Sequence, residues 1–278
     1  MILITGSKGQ LGTELRHLLD EKNIVYVATD ASEMDITDKG TINAVFQAVK
    51  PTVIYHCAAY TSVDKAESEG KELNTLINEV GTKNVAEAAE LAGATMYYIS
   101  TDYVFDGTNH YQYKVDDSAN PKNEYGRAKY AGELLVQSIC SRYYIIRTSW
   151  VFGQYGHNFV YTMRSLTKTH SNLSVIDDQI GRPTWTRTLA DFLLHLGKID
   201  AEYGIYHLSN DDSCSWYEFA CEILKDFDVE IKPVTSEQYP QIAYRPKHSI
   251  MDLSKAKATG FNIISWQEAL SEFILDIT

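Results

Sequence analysis

The sequence predicts an α/β protein: a doubly wound parallel sheet with a smaller α/β unit interleaved into it. Three observations carry this. Short apolar runs of strand length, at residues 1–5, 24–29, 52–58, 95–100 and 143–147, alternate with segments of helical period. The first of these runs is followed directly by a glycine-rich turn and a helix. The strict alternation then breaks after Gly153. At 278 residues the chain is long enough for one large domain or two modest ones with ample core.

Charge and composition narrow the function classes. The formal net charge is −12. That balance argues against nucleic acid, whose phosphates are bound by clustered Lys and Arg, and against an anionic membrane surface. No apolar run is long enough to span a bilayer. Met1 leads straight into a strand and not into a basic, then apolar, leader. The four cysteines, Cys57, Cys140, Cys214 and Cys221, form no CxxC pair. Reduced thiols in a cytoplasmic protein are the expectation.

Taken in order, residues 1–5 form the first strand, Gly6, Gly9 and Gly12 form the turn, and residues 13–20 form a helix with Leu15, Leu18 and Leu19 on one side. Strand, glycine-rich turn and helix are the context of a dinucleotide-binding turn. Glycine lets the backbone approach a pyrophosphate, and a helix N-terminus offers free N–H groups. The spacing is GxxGxxG, not GxGxxG. The second strand, 24–29, ends at Asp30. An acid there, about 20 residues past the turn, suits the adenosine ribose hydroxyls and leans toward NADH over NADPH. Asp35 and Ile36 are candidates to lie over an adenine, or else are turn and cap residues. Residues 41–49 form an amphipathic helix stopped at Pro51. The buried strand 52–58 ends in Ala58, Ala59, Tyr60 and Thr61, mostly small residues past which a cofactor could run. Residues 74–92 read as one long helix carrying Asn78. Strand 95–100 delivers Ser100, Thr101, Asp102 and Tyr103 to its carboxyl end, the edge where open parallel sheets bind ligands.

The helix that begins at Tyr125 carries the chemistry. Tyr125 and Lys129 are four residues apart, so they share one helix face. A neighbouring ammonium favours phenolate, and a phenol brought toward neutral pKa is a general acid. Strand 143–147 leads to Thr148, Ser149 and Trp150. Beyond Gly153 come a short strand and turn around 174–184, a helix at 189–196, a strand at 204–208, a helix at 215–227, a loop at 234–244 and a last helix at 265–277. The domains read as 1–152 with about 185–210 for the sheet, and about 153–184 with 211–278 for the smaller unit, with the ligand in the crevice between them.

Gly6, Gly9 and Gly12, Thr101, and Tyr125 with Lys129 together resemble the extended short-chain dehydrogenase/reductase family. Further stretches agree: Asp64 and Lys65 after Thr61; Ala131, Gly132 and Glu133; Arg147 to Val151; Asp178 and Gln179; Pro183 and Thr184; Tyr206 to Leu208; and Arg245 with Pro246. They span almost the whole chain. The resemblance implies a Rossmann nucleotide-binding domain, a substrate-binding domain and NAD(P)H-dependent reduction of the C4 ketone of a dTDP-sugar, dTDP-4-dehydro-L-rhamnose. It implies Thr101, Tyr125 and Lys129 as catalytic, with Lys129 also on the nicotinamide ribose. Gly6, Gly9, Gln10, Leu11, Gly12, Asp30, Asp35, Ile36, Ala58, Ala59, Tyr60 and Thr61 would line the cofactor, NADPH or NADH. Thr101, Asp102, Trp150 and Arg245 would hold the substrate, Arg245 at the diphosphate. Asn78 would support the surroundings of Lys129.

The resemblance also brings alternatives. Another epimerase or dehydratase of sugar nucleotides is one; elimination needs a carboxyl group where this chain has Tyr103. A non-catalytic NADP-binding regulatory subunit is the other. The protein is expected to be a monomer or homodimer. Some family members are dimers bridged by a divalent ion such as Mg2+, and Glu14 would be a ligand. The stretch after Pro183 offers no carboxylate until Asp191, which speaks against that bridge. The histidines show no metal-ligand spacing, so no metal site is expected.

Overall fold

A computed structural model describes residues 1–277. Six parallel strands form the central sheet: β1 (Ile2–Thr5), β2 (Tyr26–Thr29), β3 (Val53–His56), β4 (Thr95–Thr101), β5 (Tyr143–Thr148) and β6 (Gly204–His207). Their spatial order is β2-β1-β3-β4-β5-β6. Five helices flank it: α1 (Gln10–Glu21), α2 (Lys39–Val49), α3 (Thr82–Ala92), α4 (Glu124–Ile139) and α5 (Thr186–Lys198). Strands covered on both faces must be apolar along their whole length, and the runs at residues 2–5, 53–56 and 143–148 are nearly so. One core layer joins Leu15, Leu18 and Leu19 of α1 to Tyr97, Ile146 and the inner face of α5. The other packs α2, α3 and α4 through Phe46, Val85 and Val136 against Leu3, Ile54 and Ile145.

The predicted helix 74–92 is continuous but not uniform. Lys71–Thr75 and α3 are α-helical, and Leu76–Gly81 between them is a π-helix. Helix α1 starts earlier than predicted, because Gly12 sits where any Cβ would come within 2.2 Å of the Gly6 carbonyl oxygen. The turn therefore winds straight into the first helical turn. Residues 234–244 follow a strand, Glu230–Val234, that pairs with Asn172–Ile176.

The smaller unit has its own core, built from Phe152, Leu173, Trp185, Phe219, Trp266 and Phe273. Its reach is less than expected. Leu253, Ala256 and Ile263 fall within the predicted 211–278 segment, yet they pack in the α1/α5 layer of the sheet. The chain thus crosses back to the sheet before its last helix, Trp266–Asp276. No helix among the described residues is long and apolar enough to cross a membrane. The four cysteines are unpaired.

Candidate active site

The carboxyl edge of the sheet opens into a cavity of about 620 Å³ between the two units. It is lined by Gly9, Gln10 and Leu11 from the glycine-rich turn, Ala59 and Thr61 after β3, and Thr101, Asp102 and Tyr103 after β4. Tyr125 and Lys129 of α4 and Trp150 after β5 complete that list of predicted residues. A larger groove of about 1230 Å³ lies between α1, α5 and residues 261–276, away from Thr101, Tyr125 and Lys129. Reaction chemistry belongs to the first cavity, where a glycine-rich turn and the sheet's carboxyl edge meet.

The turn is shaped for a close backbone approach. Gly6 has φ +63°, and a Cβ there would lie 2.5 Å from the Ala58 backbone nitrogen. Gly9 caps α1 with no side chain across the first N–H groups, and the first turn carries no acid. The Gln10 Oε1 is buried without a partner. Such an uncapped N-terminus suits a pyrophosphate. Asp30 stands at the end of β2 and accepts from the Lys8 and Ala31 backbone N–H groups at 3.1 and 2.9 Å.

Asp35 and Ile36 are not among the residues lining the cavity. Asp35 is used in a turn, its Oδ1 accepting from the Thr37 N–H and hydroxyl. Ile36 is buried in the α2/α3 core and packs on Gly81. Asn78 is buried in the π-helical stretch. Its side chain clamps Tyr60, accepting from the Tyr60 N–H at 3.0 Å and donating to its carbonyl at 2.9 Å. It thereby fixes the segment that follows β3.

Helix α4 is held tightly at its start. Asn123 caps α4 by accepting from the Gly126 N–H at 2.7 Å and donates to the Tyr244 carbonyl at 2.8 Å. A Cβ at Gly126 would meet the Tyr103 carbonyl oxygen at 2.3 Å, so only glycine lets α4 come this close to the end of β4. Tyr125 then lies edge-on to Tyr103, with ring centroids 6.0 Å apart. Thr101 donates to the Asp102 Oδ1 at 3.1 Å and accepts from the Tyr103 N–H at 3.2 Å.

The electrostatics differ from the expectation in one respect. Burial holds the Tyr125 phenol above its ordinary range, Asp102 adds to that, and Thr101 opposes it through a hydrogen bond. The Lys129 Nζ lies 4.0 Å from the centroid of the Tyr98 ring. Burial brings Lys129 itself down to about 7, with Glu133 and Cys57 acting the other way. Asp102 is pushed up to about 6 by burial, and its Oδ2 has no partner.

Arg245 is not among the residues lining the cavity. Its Nη2 is 3.0 Å from the Asp64 Oδ2, and its guanidinium lies 5.7 Å from the centroid of the cavity-lining Tyr103 ring. Its Nη1 is buried without a partner. Glu14 accepts from the Thr186 hydroxyl at 3.0 Å, and Arg187 stands among Glu14, Glu21 and Asp191. An arginine thus supplies the positive charge between these acids. No group of three or more potential metal ligands occurs among the described residues.

Sequence reasoning missed the opposite wall. Trp216 stacks on Trp150, with centroids 3.7 Å apart and planes 12° from parallel, and Phe159 packs on Trp216 at 4.6 Å. Trp150 adopts φ +48°, and Gly181 leaves it room: a Cβ there would lie 2.6 Å from the indole. The two residues lie 66 positions apart, so no local pattern links them. Also unassigned was the buried ion pair of Glu133 with Arg147, 2.7 Å long.

The family model described as the RmlD substrate binding domain matches residues 1–278. A dTDP-4-dehydrorhamnose reductase from Aggregatibacter actinomycetemcomitans is 40% identical over 97% of this chain and 96% of its own. The spore coat polysaccharide biosynthesis protein SpsK of Bacillus subtilis is 39% identical over 98% and 96%. A crystal structure of dTDP-4-dehydrorhamnose reductase from Bacillus anthracis in complex with NADP superposes with a TM-score of 0.95 at 41% identity, covering 99% of this chain and 98% of that one. With full-length matches of this kind around a shared sheet-edge cavity, the chain belongs to the RmlD substrate-binding domain family.

Proposed function

We propose that the protein reduces the C4 ketone of dTDP-4-dehydro-L-rhamnose to the alcohol, using NADPH or NADH. The observation that carries this is the meeting of Thr101, Tyr125 and Lys129 with an uncapped glycine-rich turn in one cavity. A bound reduced nicotinamide supplies the hydride. Tyr125 gives its phenolic proton to the former carbonyl oxygen and regains one from solvent. A phenol held in its protonated form by burial is the correct species for that donation. Thr101, released from Asp102, donates to the same oxygen and orients it. Lys129 holds the nicotinamide ribose and places positive charge beside the developing alkoxide. The bare Oδ2 of Asp102 accepts a sugar hydroxyl, and Trp150 offers the sugar an apolar face. Gly9, Gln10 and Leu11 take the pyrophosphate, and Asp30 takes the adenosine ribose. The smaller unit acts as the substrate-binding domain, and the unpaired thiols support a cytoplasmic setting.

The test is consumption of NADPH or NADH, followed by loss of nicotinamide absorbance, with dTDP-4-dehydro-L-rhamnose supplied by the preceding enzymes. One reduced nicotinamide consumed per sugar is expected. Tight cofactor binding without consumption would overturn the reading and favour a regulatory subunit.

A further inference from the structure

Helix α4 carries a third residue on the face shared by Tyr125 and Lys129. Glu133 lies one further turn along, four residues past Lys129, and is fully buried. A buried carboxylate so close to a catalytic lysine calls for an explanation, because an acid is rarely kept inside a protein without partners. Its partners come from adjacent strands. Ser100 of β4 donates to the Glu133 Oε1 at 2.5 Å. Arg147 of β5 donates from Nε to Oε1 at 2.9 Å and from Nη2 to Oε2 at 2.7 Å. Ser100 and Arg147 are register partners, and so are Arg147 and His207 of β6, whose ring lies 3.4 Å from the Arg147 Nη1. Two neighbouring strands thus meet α4 through one carboxylate, and the third joins through Arg147.

The other groups facing Lys129 hold no charge. His56 on β3 is driven down to about 3 by burial and is bonded to Thr5 and Thr82. The Cys57 thiol is pushed up to about 12. Tyr98 on β4 and Tyr125 on α4 are both held above their ordinary range. Among the described residues acting on Lys129, Glu133 is the one that opposes its loss of charge most.

We propose that Glu133 is a positioning residue that keeps Lys129 charged from one helical turn away, with Ser100 and Arg147 holding the carboxylate in line. It never touches substrate. Its effect reaches the reaction only through Lys129, and the inference rests on the role given to Lys129 above. Removing the carboxylate leaves the ammonium facing only neutral groups and the unbalanced Arg147. Lys129 then loses its proton at lower pH, and the alkaline limb of activity moves down with it.

The experiment compares wild type, Glu133→Gln and the charge-balanced pair Glu133→Gln with Arg147→Met. The pair removes the buried unpaired guanidinium and covers the case in which the single variant fails to fold. The first readout is the pH profile of kcat. The second is direct: NMR of protein labelled with 13C at lysine Cε, the Lys129 signal being the one absent in Lys129→Met. The Lys129 midpoint and the alkaline limb should both fall by about one pH unit or more in Glu133→Gln, and by less in the pair. An unchanged Lys129 midpoint in either folded variant overturns the proposal. A wild type that shows the midpoint shift on mutation but no reductase activity would instead overturn the functional reading and leave this one standing.

Discussion

The wall of the cavity formed by β4 and α4 and the wall formed by Trp150, Phe159 and Trp216 hold their side chains in place by different means. On the first, every functional side chain follows from a backbone constraint or a directed bond: the Asn123 cap, the Gly126 contact with Tyr103, the Ser100–Glu133–Arg147 set. On the second, two indoles and a phenyl ring are fixed by area and shape, with Gly181 supplying the space. Directed bonds set the positions of reacting atoms to a fraction of an ångström, whereas ring stacking sets only the width of a slot. If chemistry and fit follow the same division, the bonded wall governs turnover and the aromatic wall mainly governs affinity.

The largest effect should come from the bonded wall. Tyr125→Phe keeps the ring and removes the proton donor, so kcat should fall about 10²-fold or more, roughly 3 kcal/mol, with cofactor affinity little changed. Near-normal kcat would break the division.

Next is Asp102, the acid on that wall with a bare oxygen. Its folded pKa is raised to about 6, above that of an unfolded Asp. Between about pH 4 and pH 6 the folded state therefore binds more protons than the unfolded one, and stability falls as pH rises through that window. Asp102→Asn escapes this loss. It should be more stable than wild type by about 3 kcal/mol at neutral pH and show no gain below about pH 4, as read by thermal unfolding at both pH values. Equal stability at neutral pH would mean that substrate-free Asp102 is not strained.

Trp216→Ala tests the other wall. It should raise the KM for the sugar nucleotide about tenfold, near 1.4 kcal/mol, and leave kcat within a factor of about two. A fall in kcat at constant KM would show that the stack also positions the reacting carbon. The smallest effect is expected from Arg245→Ala. With its guanidinium on Asp64, KM should change less than about threefold. A larger rise would return Arg245 to the diphosphate.

The same division explains what could be read from the chain alone. The alternation of strands and helices, the glycine spacing and the Tyr125–Lys129 interval are local, so the sheet and most of the bonded wall were legible. Trp216 was not, since its partner lies far away in sequence and no period links them. Nor was the direction of Lys129, which depends on the Tyr98 ring from a neighbouring strand. The packing of Ile36 on Gly81 was not legible either, since the two residues lie far apart in sequence. Glu133 and Arg147 were visible as residues, but their pairing needs the register of β4, β5 and α4.

The π-helical stretch Leu76–Gly81 has a consequence for how this chain tolerates change in length. A helix of this kind fits one residue more into the same rise than an α-helix does. Delete any one residue between Leu76 and Gly81, and the helix can run on as regular α without moving α3. The segments on either side would keep their phase, whereas the same deletion in a regular α-helix turns everything before it by about 100°. Asn78 lies inside that stretch, so the change would fall on its clamp on Tyr60 while every strand kept its register. A one-residue deletion, ordinarily ruinous inside a helix, would here be absorbed.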